Sequence, residues 1–194
     1  MIEVEAESFT SKDLKNFKRD FYIYSENSQA AISPDPDEPH LDGASGGAYF
    51  EILPDTRVTH DDKLIRKSVH ANFYPVAGAG PEVTYPINVV KAGRYYIWMR
   101  AYSTGSEDNG AHIGLNGEWP ATAQRIQWCK GKRQWTWSNG QRTEADHCGG
   151  AARIYIEIPT TGEHTLNVAA REDGFELDKI VLTTDAEFVP GEAP

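Results

Sequence analysis

Between Cys129 and Cys148 the chain reads CKGKRQWTWSNGQRTEADHC, with Trp128 immediately before it. Trp128, Trp135 and Trp137 stand there among Asn139, Gln141, Arg142 and further amides and cations, which are poor core material. A flat indole stacks on the C–H face of a pyranose, while planar amides and guanidinium groups bond its hydroxyl pairs. The residue set therefore predicts a sugar platform. Trp135 and Trp137 are two apart, so an extended segment turns both rings the same way. Trp128, beside Cys129, is the ring a core could claim instead. The two cysteines read as one disulfide that holds the loop in shape and places the chain in an oxidising compartment. Two free thiols in a reducing compartment are the alternative.

A second set of residues is acidic. Glu3, Glu5 and Glu7 alternate in MIEVEAESF, so a strand would line them along one face, opposite Val4 and Ala6. Such a face is either solvated, which discourages edge pairing, or neutralised by a cation. Near the other end, Phe175, Leu177, Ile180 and Leu182 are spaced by two, three and two. That interval predicts a bulge at Asp178 and Lys179. If the first and last strands are neighbours, Asp178 meets Glu5 and Glu7, and carboxylates with backbone carbonyls are hard donors that suit Ca²⁺. In RAYSTGSEDNGAH, Asp108 and Asn109 mark another candidate loop for sugar or cation, with an ordinary polar hairpin loop as the alternative.

The elements that must position these residues are short strands. IEVEAESF, GGAYFEIL, EVTYPINV, RYYIWMRAYS, HIGLNG, ARIYIEIP, HTLNVAAR and ELDKIVLTT are punctuated by turn-forming KAG, NGE and TTGE. The mixed segment over 10–30 has room for a helical turn. SPDPDEPHLDG reads as a loop too rigid and polar for the core, and residues 55–81 as a long connection with one possible short strand. In RYYIWMRAY, Tyr95, Ile97 and Met99 fall on the core side, and Tyr96, Trp98 and Arg100 on a structural outer face. The expected architecture is an all-β sandwich of the jelly-roll type with two antiparallel sheets, one domain over 1–184, and a linker beginning at 185–194.

A net charge of −10 over 194 residues argues against nucleic acid and anionic membrane surfaces as partners. No apolar run approaches the length of a membrane span. Among enzymes, a jelly-roll lyase or glycoside hydrolase is the rival class, and it needs an acid and a base converging in a cleft. His60, His70, His112 and His147 have no partner identifiable from spacing, and abundant acids are no sign of such a pair. An adhesion domain would predict exposed apolar patches rather than tryptophan among amides.

Four pieces in order resemble the carbohydrate-binding modules of families 6 and 35: VEAESF, GASGGAYFEI, AGRYYIWMRAYS and TTGEHTLNVAAREDGFELDKIVLTT. The WCKGKRQWTW insertion and the REDGFELDKIVLTT ending are most similar to modules on marine polysaccharide-degrading enzymes, agarases among them. The resemblance implies a β-sandwich and a structural Ca²⁺ held by Glu5, Glu7, Asp178 and backbone near Ser45, with Glu3 outside it. It also implies a sugar site in the loops at one end, where Glu176 stands in place of a common asparagine and Arg171, Glu172 and Asp173 are alternative polar contacts. The function so implied is non-catalytic binding of a polysaccharide, a red-algal galactan such as agarose, by a monomeric module within a longer secreted chain.

Overall fold

The computed structural model describes residues 1–29, 32–65, 72–148 and 152–191. His70 and the last three residues of the expected tail lie outside these. Two antiparallel sheets face each other. The larger has the order β10 (Tyr155–Ile158), β6 (Gly93–Tyr102), β12 (Glu176–Thr183), β4 (Ala48–Leu53), β3 (Asp20–Ser25), with β1 (Ile2–Glu5) on β12 and β9 (Thr136–Ser138) on β6. The smaller runs β2 (Ser11–Asp13), β5 (Glu82–Val89), β11 (Gly162–Ala170), β7 (Gly110–Leu115), β8 (Ile126–Gln127). This is the expected all-β sandwich.

Alternation explains what is inside. Val83, Tyr85 and Ile87 on β5 and Leu166 and Val168 on β11 meet Tyr95, Ile97 and Met99 on β6 and Leu177, Ile180 and Leu182 on β12, all buried. The spacing of two, three and two along the last strand has the foreseen cause: the pairing of β12 with β6 shifts between Leu177 and Lys179. The first and last strands are also neighbours, with Glu5 opposite Lys179.

Several expectations need correction. Strand β1 stops at Glu5, and Ala6–Ser8 is a 3₁₀ turn, because buried Ala6 turns the chain into the core. Glu7 therefore leaves the alternation with Glu3 and Glu5. The segment expected to hold a helical turn carries β2 and β3 instead, since DFYIYS is rich in strand formers and pairs along β4. The described part of the long connection holds no strand, only a bridge between Phe73 and Glu172. Strands β8 and β9 were not foreseen; both are too short to show a period.

Trp128 belongs to the core, 1% exposed, with its ring 5.1 Å from that of Phe175. Truncating a fully buried tryptophan costs about 3–5 kcal/mol. Trp128→Ala should lower the urea-unfolding free energy by that order, and Trp137→Ala, which is half-buried, by clearly less; equal losses would contradict this division between core and surface rings.

Candidate functional site

Strand β9 lies beside β6 with Trp137 opposite Arg100. Trp137 lines two adjoining cavities. One, ≈ 600 Å³, is walled by Trp98, Gln127, Lys130, Asn139 and Asp146 and bordered by both half-cystines. The other, ≈ 310 Å³, is formed by Gln134, Trp135, Thr136 and Trp137. Thr136 and Trp137 are common to both, so the two form one continuous cleft along β9. Trp135 and Trp137 both line the smaller cavity.

The cleft walls are tied down. Cys129 and Cys148 form a disulfide with Cα atoms 5.4 Å apart. The Ser138 hydroxyl donates to the Gln127 carbonyl (2.8 Å), the Gln127 N–H to the Gly140 carbonyl (3.1 Å), and the Trp128 indole N–H to the Thr136 carbonyl (3.1 Å). Trp135 donates from Nε1 to the His40 carbonyl (3.0 Å) and packs edge-on against Tyr49 and Tyr102. The Trp137 Nε1–H has no intramolecular acceptor among the described residues. The chemistry available is that of half-buried indole faces beside amides and charged groups, on a fixed frame.

Other expected contact residues lie elsewhere. Gln141 donates to the carbonyls of Ala121 and Gln124, which makes it a strut between loops. The backbone N–H of Arg142 bonds to the Arg125 carbonyl (2.8 Å), and its side chain does not line the cleft. Asp108 is buried and caps the turn at Ser103, Thr104 and Gly105. Asn109 bonds Glu172 through its N–H and Gln127 through its side chain. Arg171 pairs with Glu172, and Asp173 accepts from Arg19 and from Thr56; all three acids and bases of that run are buried, out of reach of a surface ligand. Glu176 is 2% exposed and bonds His40 Nδ1 (2.7 Å). Trp98 and Asp146, which sequence reasoning passed over, line the cleft; the signal for Trp98 was its place on the outward side of β6.

At the start of the sandwich, Glu5, Glu7 and Asp178 are near enough to act on one another electrostatically, but their carboxylates do not form one of the tight acid clusters among the described residues. Asp178 accepts from the Ser45 N–H (2.7 Å) and from Arg100 Nη1 (2.5 Å), and Glu5 lies 3.1 Å from Lys179 Nζ. Glu5 Oε2 and Glu7 Oε2 are buried without a partner. Burial, and then the charges of Glu5 and Asp178, hold the Glu7 carboxyl above its usual range.

A family model described as the glycosyl hydrolase family 115 C-terminal domain matches residues 4–190. An uncharacterized protein of Formosa agariphila, P23, is 48% identical over 193 residues, which span 98% of this chain and 45% of that protein. The chain thus spans less than half the length of this curated relative. Among solved structures, the C-terminal family 6 carbohydrate-binding module of the laminarinase LamC from Zobellia galactanivorans has 15% identity and a TM-score of 0.47, covering 94% of this chain and 98% of that one. A family 35 module from Clostridium thermocellum has 11% identity and a TM-score of 0.44, covering 95% and 100%.

Buried carboxyls set the pH response. Burial pushes Asp55 up to about 8, with Asp173 adding repulsion, and Asp173 itself up to about 6 against the pull of Arg19 and Thr56. A carboxyl raised in the folded state keeps protons that the unfolded chain has lost, so stability falls as pH rises from the unfolded to the folded value. His112 acts oppositely, because burial lowers it from 6.5 to about 4 and stability then rises over that interval. Above pH 6.5 the carboxyls act without that opposition. In chelator, the thermal midpoint should fall between about pH 6.5 and 8, and Asp55→Asn should flatten the fall; a wild-type midpoint that is level or rising there would refute it.

Proposed function

This chain belongs to the glycosyl hydrolase family 115 C-terminal domain family, and on that premise we propose that it is a non-catalytic module that binds polysaccharide and holds an attached hydrolase on its substrate. The observation that carries the reading is the cleft along β9, where Trp98, Trp137 and Trp135 stand beside Gln127, Asn139 and Lys130. Indole faces take the apolar side of sugar rings, and the amides take hydroxyls. The frame of disulfide and hydrogen bonds lowers the ordering cost of binding. Retention on a polymer then raises the effective concentration of substrate for the attached enzyme.

Catalysis by this domain has little support. Asp146 is the one carboxylate lining the cleft among the described residues. The facing pair Glu51 and Glu176 is 2% exposed at each residue, so neither reaches a glycosidic bond. The disulfide favours a secreted location. A red-algal galactan such as agarose is the ligand suggested by the sequence resemblance, and a neutral polymer suits the net charge of −10.

We also propose a structural Ca²⁺ at Glu5, Glu7 and Asp178. The donors are hard oxygens, two of them buried and unpartnered, and each Asp178 oxygen keeps a second lone pair beyond its present bond. Such an ion would join the first and last strands. Its addition should raise the thermal midpoint of the chelated protein, and Glu7→Gln should remove that gain; an equal gain in both proteins would exclude Glu7 as a ligand.

The binding reading is tested by affinity electrophoresis through gels with agarose, xylan, alginate, β-glucan or no polymer. Wild type should be retarded by at least one polymer, Trp137→Ala and Trp98→Ala should not, and no reducing sugar should be released. Free migration in every gel, or product release that survives both substitutions, would overturn it.

A further inference from the structure

A second group of acids lies on the outer face of the larger sheet, toward β3 and β4, on the far side of Trp135 from Trp137 and Trp98. Glu176 on β12 stands directly opposite Glu51 on β4. Like charges in that position repel, and here both residues are 2% exposed. Above them passes the SPDPDEPHL loop, whose prolines stiffen it and whose Asp35 and Asp37 are two apart. One carboxylate oxygen each from Asp35, Asp37 and Glu51 lie within 4.8 Å of one another. Asp37 also joins Glu176 and a ring nitrogen of His40 within the same distance.

The protein itself satisfies only part of this group. Tyr24 donates its hydroxyl to Asp35 (2.6 Å), Thr104 to Asp37 (2.6 Å), and His40 Nδ1 meets Glu176 (2.7 Å). Asp35 Oδ1, Glu51 Oε1 and Glu176 Oε2 are buried with no partner. No Lys or Arg is hydrogen-bonded to any of the four carboxylates among the described residues. Buried, unpartnered carboxylates in two clusters that share Asp37 must be neutralised, either by protons or by a cation.

We infer that Asp35, Asp37, Glu51 and Glu176, with His40 at the margin, bind a divalent cation of the calcium type between the 32–43 loop and the outer face of the larger sheet. Oxygen donors on a bent loop and two strands suit the variable geometry of Ca²⁺ better than the near-ideal octahedron that Mg²⁺ demands. Entry is available, because Asp35, Asp37 and Glu38 line a cavity of ≈ 600 Å³ that reaches the surface beside Gln29 and Pro39. The site is separate from Glu5, Glu7 and Asp178, and it does not depend on the sugar reading.

The test is binding of Ca²⁺ by calorimetry and of Tb³⁺ by luminescence excited through the aromatic rings, on the whole chain. Wild type, Glu51→Gln, Asp37→Asn and Glu7→Gln are compared, with circular dichroism to verify folding. Both Glu51→Gln and Asp37→Asn should lose one binding event that Glu7→Gln retains. The loss in affinity should exceed the roughly 10–100-fold that removal of an outer partner of a metal ligand costs. Asp37 is half-buried and supplies a loop ligand, so this variant keeps the test decisive if Glu51→Gln does not fold. Equal binding by wild type and Asp37→Asn would overturn the inference. So would absence of binding by wild type, with the acids then neutralised by protons.

Discussion

The rest of the structure depends on how charge is buried on the outer face of the larger sheet. Asp178 sits at the bulge in β12, and Arg100 from β6 reaches it at 2.5 Å; both side chains are almost wholly buried. Arg100 also donates to the Gly43 carbonyl (3.0 Å) and lies 5.7 Å from the Trp135 ring centroid. One guanidinium thus links the last strand, the loop before β4 and the aromatic insertion. A buried ion pair is seldom a large net gain against apolar replacements, but losing one partner leaves an uncompensated charge. Its value here is register: the bulge aims Asp178 outward while Leu177 and Ile180 both remain in the core.

From that anchor the outer face divides into two chemical zones. Toward β9 the side chains are Trp98, Trp137 and Trp135, and the cleft is aromatic with amides. Toward β3 and β4 they are Tyr24, Tyr49, Glu51 and Glu176, under the proline-rich loop. Trp135 joins the zones, because its indole N–H holds the His40 carbonyl while the His40 ring stacks on Tyr102 at 3.6 Å. Polar loops pass over this face since its side chains offer bonds that no apolar cover could satisfy.

Local pattern revealed the frame and concealed its covers. The bulge at Asp178, the inward set Tyr95, Ile97 and Met99, and most long strands were legible because period-2 alternation is a property of neighbouring residues. The site was legible in part: Trp135, Trp137 and Asn139 line the cleft, and Trp128 sits in the core that the sequence left open to it. Trp98 reads as structural in sequence because nothing local tells an outer face that is covered from one that is grooved. Arg171, Glu172 and Asp173 look like surface polar groups, yet Arg19, some 150 residues earlier, closes over Asp173 and buries it. Glu51 and Glu176 likewise gain meaning only from a strand pairing between residues far apart in the chain.

An acidic chain whose acids are largely exposed repels anions at every face; one that sinks its acids beneath loops has a different surface. Here Glu51, Glu176, Asp55, Asp108, Asp173 and Asp178 are all buried. The cleft retains Lys130 beside its rings and a single lining carboxylate among the described residues. The net charge of −10 therefore misstates the field that a ligand meets along β9. On the proposed reading, binding there would rest on the indole faces and on a frame already ordered before contact, and such a surface selects by shape and stacking rather than by charge.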